Sequence, residues 1–255
     1  MGGIFTMTTS EEEKYIKEAY KALIDRGIIN EDMLTVSTVT DEMLDDFEKK
    51  YDVKLPSLFR TYIKTYCHNI GMLCTSVPVD MNEDDLVYME QIESGKADFA
   101  DAPDIEEWWC GIIPLPEKDP LHYLCDMIEG FREYTDYVEN NVATPEKLKH
   151  FVPFADWMTA GPLCFDLNVR TEDIKTNDPN TWQICWFDHE EFDWEFAEYV
   201  DKNGMITGDK TFPDFKSFID LYFYGKFDSV YEAQLKENAE ELPDKSKWYE
   251  EARSF

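Results

Sequence analysis

Apolar and polar positions along the 255-residue chain follow two periods, and their order sketches a fold. Tyr15, Ile16, Ala19, Tyr20, Leu23 and Ile24 recur at helical spacing. Ser10 and Glu13 stand ahead of them as a capping box, and Gly27 follows as a stop. A second helix is expected from Thr40-Asp41, with Met43, Leu44, Phe47 and Tyr51 as its apolar stripe and Asp41, Glu42, Asp45, Asp46 and Glu48 as its polar face. Acids in its first turns and Lys49-Lys50 in its last suit the helix dipole. Leu55-Pro56 ends it and opens a third helix, lined by Leu58, Phe59, Tyr62, Ile63 and Tyr66. A fourth is expected after Pro120, carrying Leu121, Leu124, Cys125, Ile128, Phe131, Tyr134 and Val138, and a short one at Thr144-Pro145.

The period then changes to two. Residues 151–155, 162–168 and 182–188 are short, aromatic-rich runs bounded by Gly, Pro, Asn and Asp, which predicts three strands. In the third, both alternating sets carry apolar residues, as expected of a central strand covered on both faces. Residues 192–200 alternate in part and are expected to pair with a neighbour. Asp201-Lys202-Asn203-Gly204 is a turn signal before a possible partner strand at Met205-Ile206-Thr207. A helix opening at Phe212 places Phe215, Phe218, Ile219, Tyr222 and Phe223 on its buried face, and beyond Gly225 the tail reads as surface helix.

Residues 41–63, with Phe47-Glu48 followed by Leu55-Pro56 and a second aromatic helix, resemble the opening signature of the SUKH superfamily. Pro153-Phe154-Ala155-Asp156, the run from Gly161 to Asp166, and Trp186-Phe187-Asp188-His189-Glu190 are similar to the family's strands. Phe212, Phe215, Phe218 and Ile219 resemble its closing helix. Asn69-Ile70-Gly71 departs from the family's Asn-Gly-Gly, and the stretch from Met72 to His150 is longer than the family core. The resemblance implies an α+β fold: a single SUKH-like domain with a central mixed or antiparallel sheet, flanked by N-terminal helices and a C-terminal Phe-rich helix. The expected organisation is an N-terminal helical extension over 1–35, the domain over 36–225 with an insertion at about 72–150, and a helical tail over 226–255.

Charge changes this picture most. There are 55 Asp and Glu against 24 Lys and Arg, for a formal net charge of −31, so nucleic acid and anionic membrane are excluded as partners and a basic protein is favoured. A hydrophobic fraction of 43% and an aromatic fraction of 15% are enough for a packed core. No apolar run reaches the ~20 residues of a membrane span, and the N-terminus lacks the basic and apolar regions of a signal peptide. Gly2 and Thr6 match a short myristoylation pattern. Six cysteines without a CxxC read as free, largely buried thiols of a cytoplasmic protein.

Candidate chemistry is sparse. Asp188, His189 and Glu190 could hold a metal or move a proton at a strand end, and Cys67, His68 and Cys74 are an incomplete zinc set. No HExxH, phosphate loop or nucleophile elbow is present, so neither a catalytic residue nor a cofactor is assigned. Two acidic–aromatic clusters are the candidate partner-binding residues: Asp104, Glu106, Glu107, Trp108 and Trp109, then Glu190, Glu191, Asp193, Trp194 and Glu195. The resemblance implies a non-enzymatic binding role. Bacterial SUKH proteins include immunity proteins that cover polymorphic toxins, and fungal ones regulate cell-wall assembly. The expectation is an immunity protein for a basic toxin domain, a nuclease being one such domain. A regulatory or scaffold protein of the same fold is the alternative, ahead of a metal-dependent enzyme using Asp188, His189 and Glu190.

Overall fold

The computed structural model describes residues 7–78, 105–133, 145–157, 161–170, 182–190 and 196–225. Helix α1 (Thr9–Asp25) starts at a capping box formed by Thr8 and Glu11, two residues before the expected Ser10 and Glu13. The Thr8 N–H donates to the Glu11 carboxylate at 2.7 Å. Both pairs fit the pattern, and the helix runs out to the earlier one because each residue added to a formed helix gains a backbone bond. Gly27, at φ 73°, ends it as expected.

Helix α2 (Asp41–Tyr51) is capped by Thr40, whose hydroxyl accepts the Met43 N–H at 3.3 Å. Its stripe is narrower than predicted, since Met43 is exposed, and Glu48 leaves the polar face to become buried. Helix α3 (Ser57–Thr65) begins just after Pro56 and stops one residue before Tyr66. Tyr66 was expected on that helix. Instead strand β1 (Thr35–Val36) pairs antiparallel with β2 (Tyr66–Cys67), and its backbone bonds take Tyr66 out of the helical ladder.

The main sheet has six strands in sequential order, every pair antiparallel: β3 (Met72–Pro78), β4 (Ile105–Ile112), β5 (Phe151–Trp157), β6 (Gly161–Arg170), β7 (Trp182–Trp186) and β8 (Asp209–Phe212). The three strands expected from the pattern are β5, β6 and β7. Helix α4 (His122–Glu133) buries Leu124, Ile128 and Phe131, and α5 (Pro145–Leu148) leads into β5. Helix α6 (Phe215–Tyr222) is capped by Asp214, so Phe212, expected inside it, is the last residue of β8. Residues 196–199, expected to pair as a strand, form a 3-10 turn; only Val200 bridges to Ile206, across the Asp201–Gly204 turn. The fold is therefore α+β on an antiparallel sheet. Tyr134, Val138, the Leu86 run and the tail beyond Gly225 lie outside the described residues.

One face of the sheet meets a large core shared by α1, α2, α3 and α6, which Leu124 and Ile128 of α4 also join. Phe154 and Phe165 stack there at 4.3 Å between ring centres, with Phe59 and Phe215 edge-on or tilted against them. The other face carries a smaller cluster, in which Phe131 of α4 meets Phe151, Cys164, Cys185 and Phe187. The expectation that β7 is covered on both faces holds: Ile184 belongs to the first cluster and Cys185 to the second. All six cysteines are free; four are buried, and Cys74 and Cys125 are partly so.

Glu48 and His68 show how polar groups are kept inside. Glu48 accepts the Leu55 N–H at 2.9 Å and pairs with Arg60 at 3.0 Å and with Lys54. The Phe47-Glu48 and Leu55-Pro56 motifs are thus one device, in which the carboxylate ties the end of α2 to the entry of α3. Burial works against the Arg60 guanidinium, but Glu48, Asp41 and Asp45 outweigh it and raise its pKa. His68 accepts the Ile70 N–H on Nδ1 at 3.3 Å, so the neutral ring carries its proton on Nε2 and donates to the Tyr62 hydroxyl at 2.9 Å.

A cleft at one end of the sheet

The less covered face of the sheet is open beside β3 and β4. Gly111 lies opposite Met72 on one side and Asp156 on the other, and Asp156 lies opposite Pro162. Cross-strand partners share a face, so these four form a row. Trp109, two residues before Gly111 on the same strand, shares that face. Met72 and Trp109 are 44% and 42% exposed, whereas Leu73 and Cys110 on the opposite face are wholly buried.

Against this row stands α4. The space between them is a cleft of about 670 Å³, walled by Ile112, Ile113, Pro114, Tyr123, Met127, Phe131, Pro153 and Pro162. Gly71, Gly111, Gly130 and Gly161 also line it, and Asp156 and His189 bring a carboxylate and an imidazole to it. Asp156 stays open to solvent on one side, but its walls remove enough water to raise its carboxyl above the ordinary range. The Gly161 N–H and nearby His189 oppose that rise.

Two local devices build the site. At Gly161, which opens β6, an added Cβ would stand 1.8 Å from the Phe187 carbonyl oxygen, so only glycine lets β6 and the end of β7 close up. Beyond that contact the Phe187 N–H donates to the Pro162 carbonyl at 3.2 Å, and the chain turns to present His189. The Asp188 carboxylate accepts the Glu190 N–H at 2.8 Å while its own N–H donates to the Tyr199 hydroxyl at 2.9 Å. Asp188 therefore acts as the cap of a helical turn starting at His189. Among the described residues no group of three or more His, Cys, Asp or Glu is placed to hold a metal.

Most of the candidate interaction residues can be located only in part. Glu106, Glu107, Trp108 and Trp109 are on β4, in a stretch paired with β3 but extending past the Cys110–Ile112 pairing with β5. Of their side chains, that of Trp109 is described, and it is exposed. Glu190 is exposed just past β7. Antiparallel register puts Trp109 and Glu190 at the same end of the sheet, across three strand spacings or roughly 14 Å. Asp104, Glu191, Asp193, Trp194 and Glu195 lie outside the described residues. The cleft itself, with Asp156 in its lining, is not legible in the sequence. Asp156 sat in a strand motif and carried no separate mark, and its neighbours Gly111, Pro162 and His189 are far from it in sequence.

In comparison with protein families, residues 38–221 match the SMI1 / KNR4 family (SUKH-1). The chain belongs to this family. Curated proteins and solved structures gave no match. The SUKH-1 match spans α2 through nearly all of α6, so it takes in every strand of the main sheet and the whole cleft. The sequence resemblance, drawn from Val36 to Tyr224, covers almost the same stretch. Helix α1 lies ahead of the matched region, yet Ile16, Ala19, Tyr20 and Leu23 are buried in the core that the matched helices share. No helix among the described residues is long and apolar enough to cross a membrane.

Proposed function

We propose that this SUKH-1 protein is a non-catalytic, cytoplasmic immunity protein that binds a basic toxin domain through the cleft end of its sheet. The observation that carries this reading is the conjunction at that end: exposed Trp109 and Met72, a carboxylate in an apolar cleft, and Glu190 across from them, on a chain of net charge −31. Aromatic anchors in a negative field suit a cationic protein surface. A nuclease toxin is such a partner, because its substrate is a polyanion and its own surface is basic. Asp188 is engaged in capping, which supports a recognition surface over a metal-dependent reaction at Asp188, His189 and Glu190.

The test is co-expression with basic toxin domains, scored by cell survival, followed by association kinetics on any pair that forms. Rescue, with an association rate that falls about tenfold or more from low to high salt, is the expected result. Binding only to cellular proteins, without rescue from any toxin, would replace the immunity reading by the regulatory one.

A further inference from the structure

We propose that the cleft between α4 and the open face of β4–β6 receives an arginine side chain, together with its apolar sequence neighbours, from an extended segment of the basic partner. This rests on the reading of the protein as a binder of a basic protein and adds what that partner must present.

Charge and shape argue together. Among the described lining groups there is no lysine or arginine, and the basic side chain near Asp156 is the imidazole of His189. Its carboxylate takes the Gly161 N–H, which orients it and leaves further acceptor sites. The rest of the lining is aliphatic, aromatic, methionine, proline or glycine, with the volume of a site that takes a compact ligand. An arginine fits both parts: its methylene stem lies along apolar wall, and its planar, weakly hydrated fork meets a carboxylate with two parallel bonds. A lysine ammonium holds its water more tightly and makes no such fork. Exposed Trp109, Met72 and Tyr123 then offer contact area for the residues flanking the arginine.

The glycines keep the cleft open and supply a test. A Cβ at Gly130 meets nothing within 4 Å, and Gly130 lies within α4 without a positive φ, so a larger side chain there fits the helix and projects into space beside the cleft. Gly130→Phe therefore obstructs the cleft without distorting the fold, and Asp156→Asn removes the charge while keeping the shape.

The probes are the blocked peptide acetyl-Gly-Leu-Arg-Phe-Gly-amide and its citrulline counterpart, which keeps the arginine's shape without its charge. Binding is read by amide chemical shifts on the full chain. The expected result is saturable shifts at Gly111, Gly130 and Gly161, at least tenfold weaker for citrulline. Asp156→Asn erases the difference and Gly130→Phe abolishes binding, with thermal unfolding confirming that both variants fold. Equal affinity for the two peptides, shifts centred elsewhere, or no saturable binding overturns the proposal. With an identified basic partner, undiminished binding by Gly130→Phe and Asp156→Asn would overturn the cleft's role while leaving the partner's basic character intact. Failure to find any basic partner would instead overturn the functional reading, whatever the peptides show.

Discussion

Glu48 and His68 are buried polar residues whose burial has a measurable consequence apart from packing. Glu48 is 4% exposed and holds Arg60, Lys54 and the Leu55 amide at once. Removing one member of a buried pair leaves the other without compensation, so Glu48→Ala should lower stability by about 3–5 kcal/mol, read from urea unfolding. A conservative Asp45→Ala on the exposed side of the same cluster should cost under about 1 kcal/mol. Burial pushes the His68 pKa down to about 4. The unfolded chain, with a histidine pKa near ~6.5, binds the proton first as pH falls. The neutral ring's stabilisation is thus complete above about pH 6.5 and is lost progressively as pH drops toward 4, by about 3 kcal/mol in all. Acidification also relieves repulsion in so acidic a chain, so the informative quantity is the difference between wild type and His68→Gln: the variant should lack this slope between pH 6.5 and 4. An identical slope in both would show that His68 does not titrate on unfolding.

At the scale of elements, glycines in two settings should respond oppositely to one methyl group. Gly130 is an exposed interior position of α4 with open space at its Cβ, so Gly130→Ala should raise stability by up to about 1 kcal/mol. At Gly161 the same methyl would overlap the Phe187 carbonyl, and separating β6 from the end of β7 should cost at least about 2 kcal/mol. Thermal unfolding of the two variants side by side checks both signs. Elements also differed in how well they could be read. Leu124, Ile128 and Phe131 repeat at helical spacing, and 151–155, 162–168 and 182–188 are bounded by turn residues, so α4, β5, β6 and β7 followed from local pattern. Strands β3 and β4 did not. Each is half exposed on a face carrying Met72, Trp109 and Gly111, and their pairing joins Met72–Pro78 to Ile105–Ile112 across a long stretch of chain. Apolar spacing places Tyr66 on a helix, and spacing together with the family resemblance does the same for Phe212, but long-range strand pairing takes both into strands.

For the whole molecule, the core is continuous from α1 to α6. Tyr20 stacks on Tyr62 at 5.8 Å between ring centres and meets Phe223 edge-on, so α1 fills the space between α3 and the chain after α6. Deleting residues 1–29 should expose Tyr62 and Phe223 and lower the unfolding temperature by more than about 10 °C, or prevent folding, even though the SUKH-1 match begins at residue 38. A truncated chain as stable as the intact one would show that α1 is an independent appendage.

Local spacing settled most of the helices and the middle strands, and local motifs the family, because each of these depends on neighbours within a few residues; the net charge, a simple sum over the chain, motivates the proposal of a basic partner. The cleft was decided only by tertiary structure. Gly111, Asp156, Gly161 and His189 meet there because four antiparallel strands fall into one register, and register rests on contacts between residues far apart in the chain.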